Sequence, residues 1–204
     1  MSESLDGGAV TYRSNRHFDI LNENIVFPLQ SAASAADYRN IFEARRSAYG
    51  QRLVLLNNTS HDEQTYSGPF QALIRYMACS AIDGAPMIFY GEELGISTTF
   101  GFGQYEINFG KNIPQFKKFN SMQPIFTNRA NGVDFLWPVY AAINQAHNFS
   151  PALRSSSRYF LDQTSGGAHS SIFSVAKYVT PNGAPNFNNV VFAFTTLDRN
   201  TTQS

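Results

Sequence analysis

The chain has 204 residues, with 15 basic and 15 acidic side chains and a formal net charge of zero. This balance supplies no positive field for nucleic acid or an anionic membrane, and we expect neither as a partner. No apolar run is long enough to span a bilayer, and residues 1–8 do not resemble a secretory signal. The single cysteine, Cys79, excludes an internal disulfide and a cysteine-based metal cage. Because 14% of the residues are aromatic, we expect some rings to line a binding surface.

The first part of the chain alternates strand and helix patterns. A short β-compatible run begins at Phe18 and is expected to end at Pro28. Residues 34–50 predict a helix, with a serine as N-cap at its start and a glycine as its stop. Its inward face is predicted to be Tyr38, Ile41, Phe42, Arg45 and Tyr49. Residues 52–56 form a continuous apolar run, which is typical of a parallel strand buried on both faces.

The clearest helical periodicity lies in residues 69–82, where a proline opens the predicted helix. The apolar positions expected to face the core are Phe70, Leu73, Ile74, Met77, Ala78, Ala81 and Ile82. Residues 85–91 predict another buried strand. Residues 134–147 predict a third helix, whose inward positions are Leu136, Val139, Tyr140 and Ile143. Strands alternating with helices in this way favour a parallel α/β sheet.

The pattern changes at about residue 155. Residues 155–204 contain about three β runs separated by turns rich in Gly, Asn and Pro, which predicts the start of an antiparallel β module. Three strands are few for an independent sheet domain, so we expect this module to be cut short. Residues 96–129 show little periodicity but many aromatic rings, and long loops of this kind are usually functional.

Polar residues follow two of the predicted strands. In parallel α/β proteins, reactive groups gather just beyond the carboxyl ends of the strands. His61 and Asp62 are therefore functional candidates, and Glu92 and Glu93 follow the next strand. The alternative is structural: Asp62 or Ser67 caps the helix that begins near residue 69.

Three motifs, "ESLDGG", "LLNNTSHDE" and "GAPMIFYGEELGI", occur in the order and relative spacing of the α-amylase superfamily, which the chain resembles over nearly its whole length. These are retaining enzymes acting on α-linked glucans and related sugars. The resemblance implies an α/β fold, with residues 1–154 as strands 5–8 of a (β/α)₈ TIM barrel. Residues 155–204 would then begin an antiparallel, β-sandwich-like C-terminal domain.

The resemblance also implies roles for individual residues. Glu3 matches the general acid/base, and Asp62 matches the aspartate that holds sugar hydroxyls and stabilises the transition state. His61 and Ser60 would contact substrate, with Ser60 standing where the family has asparagine. Glu63 and Tyr105 are further candidates for substrate binding. In the family the nucleophile is an aspartate of strand 4, upstream of Met1, so we expect residues 1–204 alone to be inactive.

The expected partner is an α-linked oligosaccharide or polysaccharide, without an organic cofactor and without a metal in these residues. Calcium is expected, if anywhere, in the other half of a full-length parent. Cys79 is expected to be a small core residue.

Several alternatives stay open. Glu3 could belong to a frayed terminus. Glu92 and Glu93 could be structural, and the aromatic rings of residues 96–129 could pack on the barrel rather than stack on sugars. Arg13, Arg16 and His17 could contact substrate or lie in a solvated loop. Two rival functions are a noncatalytic carbohydrate-binding or scaffold protein of the same fold and an α/β domain unrelated to sugars.

Overall fold

In the computed structural model, the structure is described for residues 2–4, 20–23, 26–50, 53–57, 69–88, 92–94, 132, 134–163 and 170–198. The N-terminal part contains the strands β1 (Ser2–Ser4), β2 (Ile20–Glu23), β3 (Leu53–Asn57) and β4 (Ala85–Met87). Its helices are α1 (Val26–Ser31), α2 (Ala35–Tyr49) and α3 (Pro69–Ser80). The C-terminal part contains α4 (Trp137–Phe149), α5 (Pro151–Arg154), β5 (Arg158–Phe160), β6 (Ile172–Val179) and β7 (Asn186–Thr196). Short 3₁₀ helices lie at Glu92–Leu94, Leu161–Gln163 and Pro181–Gly183.

The strands form two sheets of different kinds. Strands β1 to β4 are all parallel and lie side by side in chain order. Their register pairs Glu3 with Asn22, Asn22 with Leu55, and Leu55 with Ala85. Strands β5, β6 and β7 form an antiparallel sheet, also in chain order. The described strands are thus parallel in the first sheet and antiparallel in the second.

Helix α2 begins and ends where the sequence predicts. Ser34 is the N-cap, and its hydroxyl accepts a hydrogen bond from the Asp37 backbone N–H at 3.2 Å. The Asp37 carboxylate accepts in return from the N–H groups of Ala33 and Ser34, at 3.0 and 2.9 Å. This reciprocal arrangement is a capping box, which satisfies the exposed donors of the first turn. Gly50 ends the helix with a φ of 63°, a conformation that other residues adopt only under strain.

Two predicted boundaries are wrong. The β run expected to end at Pro28 ends at Glu23, and Pro28 is the third residue of α1. Proline is tolerated there because the first helical turn does not need its missing N–H. The helix predicted from residue 134 begins at Trp137, with a proline in its first turn, and Val139 is 37% exposed rather than buried. Proline at this position favours a helix start over a continuation from earlier residues.

Helix α3 and the turn after it bury only part of the face that the hydrophobic stripe predicts: Ala78, Ala81 and Ile82 are buried, but the four earlier positions are not. Phe70 is 51% exposed, and Leu73, Ile74 and Met77 are only partly buried. These four side chains instead line an open groove against the end of β7. The face that packs inward carries smaller or polar-tipped side chains: Ala72, Arg75, Tyr76, Ala78, Cys79 and Ser80. Tertiary packing thus overrides the first four positions of the strongest apolar stripe in the chain.

One buried core joins the two sheets. Val54 and Leu56 of β3 belong to it, as do Cys79 and Ile82 at the end of α3. The same core contains α2 and the inner face of the antiparallel sheet, through Leu29, Tyr38, Phe42, Tyr49, Ala78, Ala81, Phe160, Phe173 and Val175. Cys79 is fully buried there, as predicted. Burial of rings and aliphatic chains on this scale is the main stabilising contribution that the described residues make.

A charged junction lies beside this core. The Arg158 side chain is 2% exposed and forms ion pairs with Asp83 and, at 3.3 Å, with Glu43. Its guanidinium also lies 5.2 Å from the centre of the Phe160 ring. Arg46 of α2 donates to the Ser156 carbonyl oxygen at 2.7 Å. These contacts join α2 and the turn after α3 to the first antiparallel strand.

None of the described helices is both long and apolar enough to cross a membrane.

Replacing the N-cap by Ser34→Ala removes the acceptor for the Asp37 N–H and half of the capping box. We expect the free energy of unfolding to fall by about 1 kcal/mol. Urea denaturation followed by circular dichroism measures this, with Ser47→Ala, at an exposed interior position of the same helix, as the matched control. An equal loss of stability in both variants would show that the capping box does not anchor α2.

Candidate functional site

The carboxyl ends of the parallel strands are where the sequence places the chemistry. The described structure places Glu3 at the centre of β1, with its backbone paired to Asn22 of β2. Asn57 is the last residue of β3, and the register pairs it with Met87 at the end of β4. Because all four strands are parallel, their carboxyl ends meet at one edge of the sheet.

Most of the predicted site residues lie outside the described residues. These are Ser60, His61, Asp62, Glu63 and Tyr105, and the aromatic segment 96–129 as a whole. Arg13, Arg16 and His17 also lie outside them. The structure therefore fixes the strand that carries Glu3 and the strand that precedes Asp62, and the roles of these residues remain predictions.

Asn57 is the first of the polar residues that follow the apolar run of β3, and it is not among the predicted site residues. Its side chain is 4% exposed, and its Oδ1 atom has no hydrogen-bond partner within the part of the chain that the structure describes. A buried amide oxygen without a partner costs free energy, so such groups tend to mark a ligand or water position. The signal was present in the sequence, since Asn57 directly follows the apolar run of β3.

Glu92 lies beyond β4 in a short 3₁₀ helix and is 2% exposed. Its Oε1 atom accepts a hydrogen bond from the Tyr140 hydroxyl at 2.9 Å, inside the protein. The Tyr140 ring packs against Tyr76 of α3, with 4.8 Å between ring centres, and the Tyr76 hydroxyl donates to Asn144 Oδ1. Glu92 therefore links three elements from a buried position, which supports the structural alternative for this residue.

Burial, together with nearby charges such as that of Glu92, changes the pKa values of side chains in this region. Burial, and then the negative charge of Glu92, raise the pKa of the Cys79 thiol above its ordinary range. Burial also raises the pKa of Tyr38 to about 12, against the opposing effect of the Arg75 guanidinium. A thiol held protonated in this way is a poor nucleophile, so Cys79 is not a candidate for covalent catalysis.

A second group of titratable side chains surrounds Lys177 of β6, which is fully buried. Its Nζ atom donates to the Ser155 carbonyl oxygen. Burial, and then the positive charges of Arg158 and Arg46, lower the pKa of Lys177 to about 7. Sequence pattern did not reveal this lysine, because it occupies an alternating position in an ordinary β run.

Among the described residues, no three His, Cys, Asp or Glu side chains are grouped so that they could hold a metal ion.

Removing the Tyr140 hydroxyl by Tyr140→Phe leaves the buried Glu92 without one of its hydrogen bonds. We expect the free energy of unfolding to fall by about 1–3 kcal/mol, since the acceptor is charged and desolvated. Chemical denaturation measures the loss. Tyr159→Phe, at a 46% exposed ring on β5, is the matched control and should change stability little. If both variants lose the same stability, Glu92 does not depend on this bond.

Lys177→Met tests the buried ammonium. Between the folded pKa of about 7 and the ordinary value of 10.5, the unfolded chain holds a proton that the folded protein has lost. The free energy of unfolding therefore increases with pH in that window, by up to about 1.4 kcal/mol per pH unit.

The stability difference between the wild type and the Lys177→Met variant, measured by urea denaturation from about pH 7 to pH 9, should carry this slope. Arg39→Met removes a cation from α2 and leaves Lys177 in place, so its slope should match that of the wild type. If the free energy of unfolding changes with pH in the same way in all three proteins, the buried Lys177 does not lose its proton in this pH range.

In the comparisons with known proteins, no family model matches the chain and no curated protein sequence matches it. The resemblance to the α-amylase superfamily therefore depends on the three sequence motifs and their order.

Proposed function

We propose that this chain is the C-terminal portion of a retaining α-glycosidase of the α-amylase type. Residues 1–154 would form strands 5–8 of its (β/α)₈ barrel, and residues 155–204 would begin its β domain. The observation that carries the proposal is the order of the parallel strands. Glu3 lies on the first of four strands that are neighbours in chain order, and Asp62 follows the third.

Strand order favours a barrel over the other common parallel architecture. In doubly wound sheets the order of the strands reverses at a switch point, so the first strand in the chain lies inside the sheet and not at its edge. In a (β/α)₈ barrel each strand is next to its successor. The order β1-β2-β3-β4, with helices in the β2–β3 and β3–β4 connections, follows the barrel pattern.

The positions of the strands are compatible with a shared site. Glu3 occupies the register position of Leu55, two residues before the level of Asn57. Two strand spacings sideways and two residues along a strand put the Cα atoms of Glu3 and Asn57 about 12 Å apart. The five residues from Asn57 to Asp62 span up to about 17 Å when extended, so the chain is long enough to bring Asp62 to Glu3.

In the proposed reaction Glu3, as an acid, protonates the oxygen of the leaving sugar. As a base it then takes a proton from the incoming water or sugar hydroxyl. Asp62 accepts hydrogen bonds from ring hydroxyls, and His61 donates to a neighbouring one, so both act more strongly as positive charge develops on the ring. The nucleophile is an aspartate on the strand that precedes β1 in the family, outside residues 1–204.

Ser60, Glu63 and Tyr105 complete the proposed contacts with substrate. Ser60 offers one hydroxyl where the family's asparagine offers an amide with both donors and an acceptor. This substitution is the feature that favours a noncatalytic carbohydrate-binding protein of the same fold. Intact Glu3 and Asp62 favour the enzyme.

The test uses the chain extended upstream through the coding sequence for the preceding strands, incubated with maltooligosaccharides. We expect the extended protein to release shorter sugars, while residues 1–204 alone give no turnover. Glu3→Gln should lower kcat by about 10²–10⁴-fold, because the general acid/base is lost. Asp62→Asn should lower it by about 10²–10³-fold through weaker stabilisation of the transition state.

Asp134→Asn is the matched control, because it neutralises an exposed carboxylate in the turn before α4. Its activity should stay within twofold or so of the wild type. If the extended protein binds the sugars without cleaving them, the chain belongs to a carbohydrate-binding protein. If Glu3→Gln cleaves as fast as the wild type, the assignment of the acid/base is wrong.

A further inference from the structure

A groove of about 600 Å³ lies at the opposite end of the parallel sheet from the proposed catalytic edge. Leu53, the first residue of β3, and Ala85, the first residue of β4, form its floor together with the turn that precedes β4. Its other side is built by the last turns of α4 and by Arg154 of α5. The amino ends of parallel strands are not where barrel enzymes place their chemistry, so this groove is separate from the proposed site.

The polar groups that line the groove are amides, one imidazole and one guanidinium. They are Asn144, Gln145, His147, Asn148 and Arg154. No carboxylate is among the lining residues that the structure describes. The Asn144 Oδ1 atom already accepts from the Tyr76 hydroxyl, which leaves the amide nitrogen as the part of Asn144 that can serve a ligand. The groove therefore presents donors and positive charge.

His147 gives the second observation. Its Nε2 atom is buried and has no hydrogen-bond partner among the described residues, although the residue lines the groove. Burial lowers the pKa of His147, and the positive charges of Lys177 and Arg154 lower it further. Within the part of the chain that the structure describes, these two cations, from β6 and α5, are the charged groups that act on the ring. An anion in the groove beside the ring would offset both charges.

Arg154 is the residue best suited to hold that anion. One of its terminal nitrogens, Nη1, donates to the Asn148 carbonyl oxygen, which anchors the guanidinium to the end of α4. A guanidinium carries five N–H donors in a planar fork that matches the oxygens of phosphate. The bond to Asn148 uses part of this fork, and the rest can bind a ligand.

From the groove and the donors that line it, we infer that the chain has a phosphate-binding site at the amino ends of β3 and β4. The ligand class is inorganic phosphate or the phosphate group of a monoester. Arg154 forms the charged contact, the amides of Asn144 and Asn148 add neutral donors, and the imidazole of His147 becomes protonated when the anion is bound. This site does not depend on the proposed glycosidase reaction, because it shares no residue with it.

The experiment titrates the full chain with inorganic phosphate and follows the His147 ring by NMR. We expect saturable shifts of the ring resonances and a higher His147 pKa in the presence of phosphate, because the anion stabilises the imidazolium. Arg154→Gln should weaken phosphate binding by about tenfold or more, as expected for the loss of a charged hydrogen-bond donor. Arg39→Gln, which removes the same charge from a residue outside the groove, should bind like the wild type.

Two further probes separate the possible ligands. A sugar monophosphate that binds more tightly than inorganic phosphate would identify a monoester site, and equal affinity would identify a site for the phosphate group alone. Shifts that do not saturate, or that Arg154→Gln and Arg39→Gln weaken equally, would overturn the proposal in favour of nonspecific charge attraction. Neutral maltose binding at His147 in place of phosphate would also overturn it. None of these results bears on whether Glu3 acts as the acid.

Discussion

The packing of helix α2 against the inner face of β6 is the contact on which the described structure depends. Tyr38 and Phe42 meet Phe173 with ring centres 5.6 and 5.8 Å apart, and all three side chains are buried. Because the same core also holds residues of β3 and α3, this contact joins the parallel sheet to the antiparallel one. Neither sheet buries its apolar face alone, so the two predicted domains, 1–154 and 155–204, are stabilised by each other.

This shared core also explains why charged groups are buried at the junction. Arg158 and Lys177 lie on the first two antiparallel strands, and the packing of α2 and of the turn after α3 against these strands removes them from water. Arg158 is compensated by Asp83 and Glu43, whereas Lys177 keeps a carbonyl partner and a lowered pKa. Breaking a buried pair is costly, which makes the junction specific for one arrangement of the sheets. Lys177 of this junction also places positive charge near His147, which lines the groove at the amino ends of β3 and β4.

Local signals were sufficient for most elements. The Ser34 cap, the Gly50 stop and the opening proline of α3 each act within one helical turn, so the sequence alone predicted them. Long-range packing was not predictable in the same way. The stripe of Phe70, Leu73, Ile74 and Met77 has ideal periodicity, yet α3 is oriented by the burial of Tyr76 and Cys79 on another face. Of the candidate site, the resemblance placed Glu3 on a strand, and helical periodicity predicted that Tyr140 faces inward. The unpartnered oxygen of Asn57, the bond from Tyr140 to Glu92 and the burial of Lys177 emerged only from three-dimensional contacts.

The proposed function connects this fold to its chemistry through parallel strands in chain order, which gather their carboxyl ends at one edge. Its central claim is that the reaction at this edge proceeds with retention, through two displacements at one carbon atom. The most direct measurement is proton NMR of the first sugar anomer released when the upstream-extended protein acts on maltooligosaccharides. The account predicts that the α anomer appears first and then mutarotates to the equilibrium mixture. Initial release of the β anomer would contradict it.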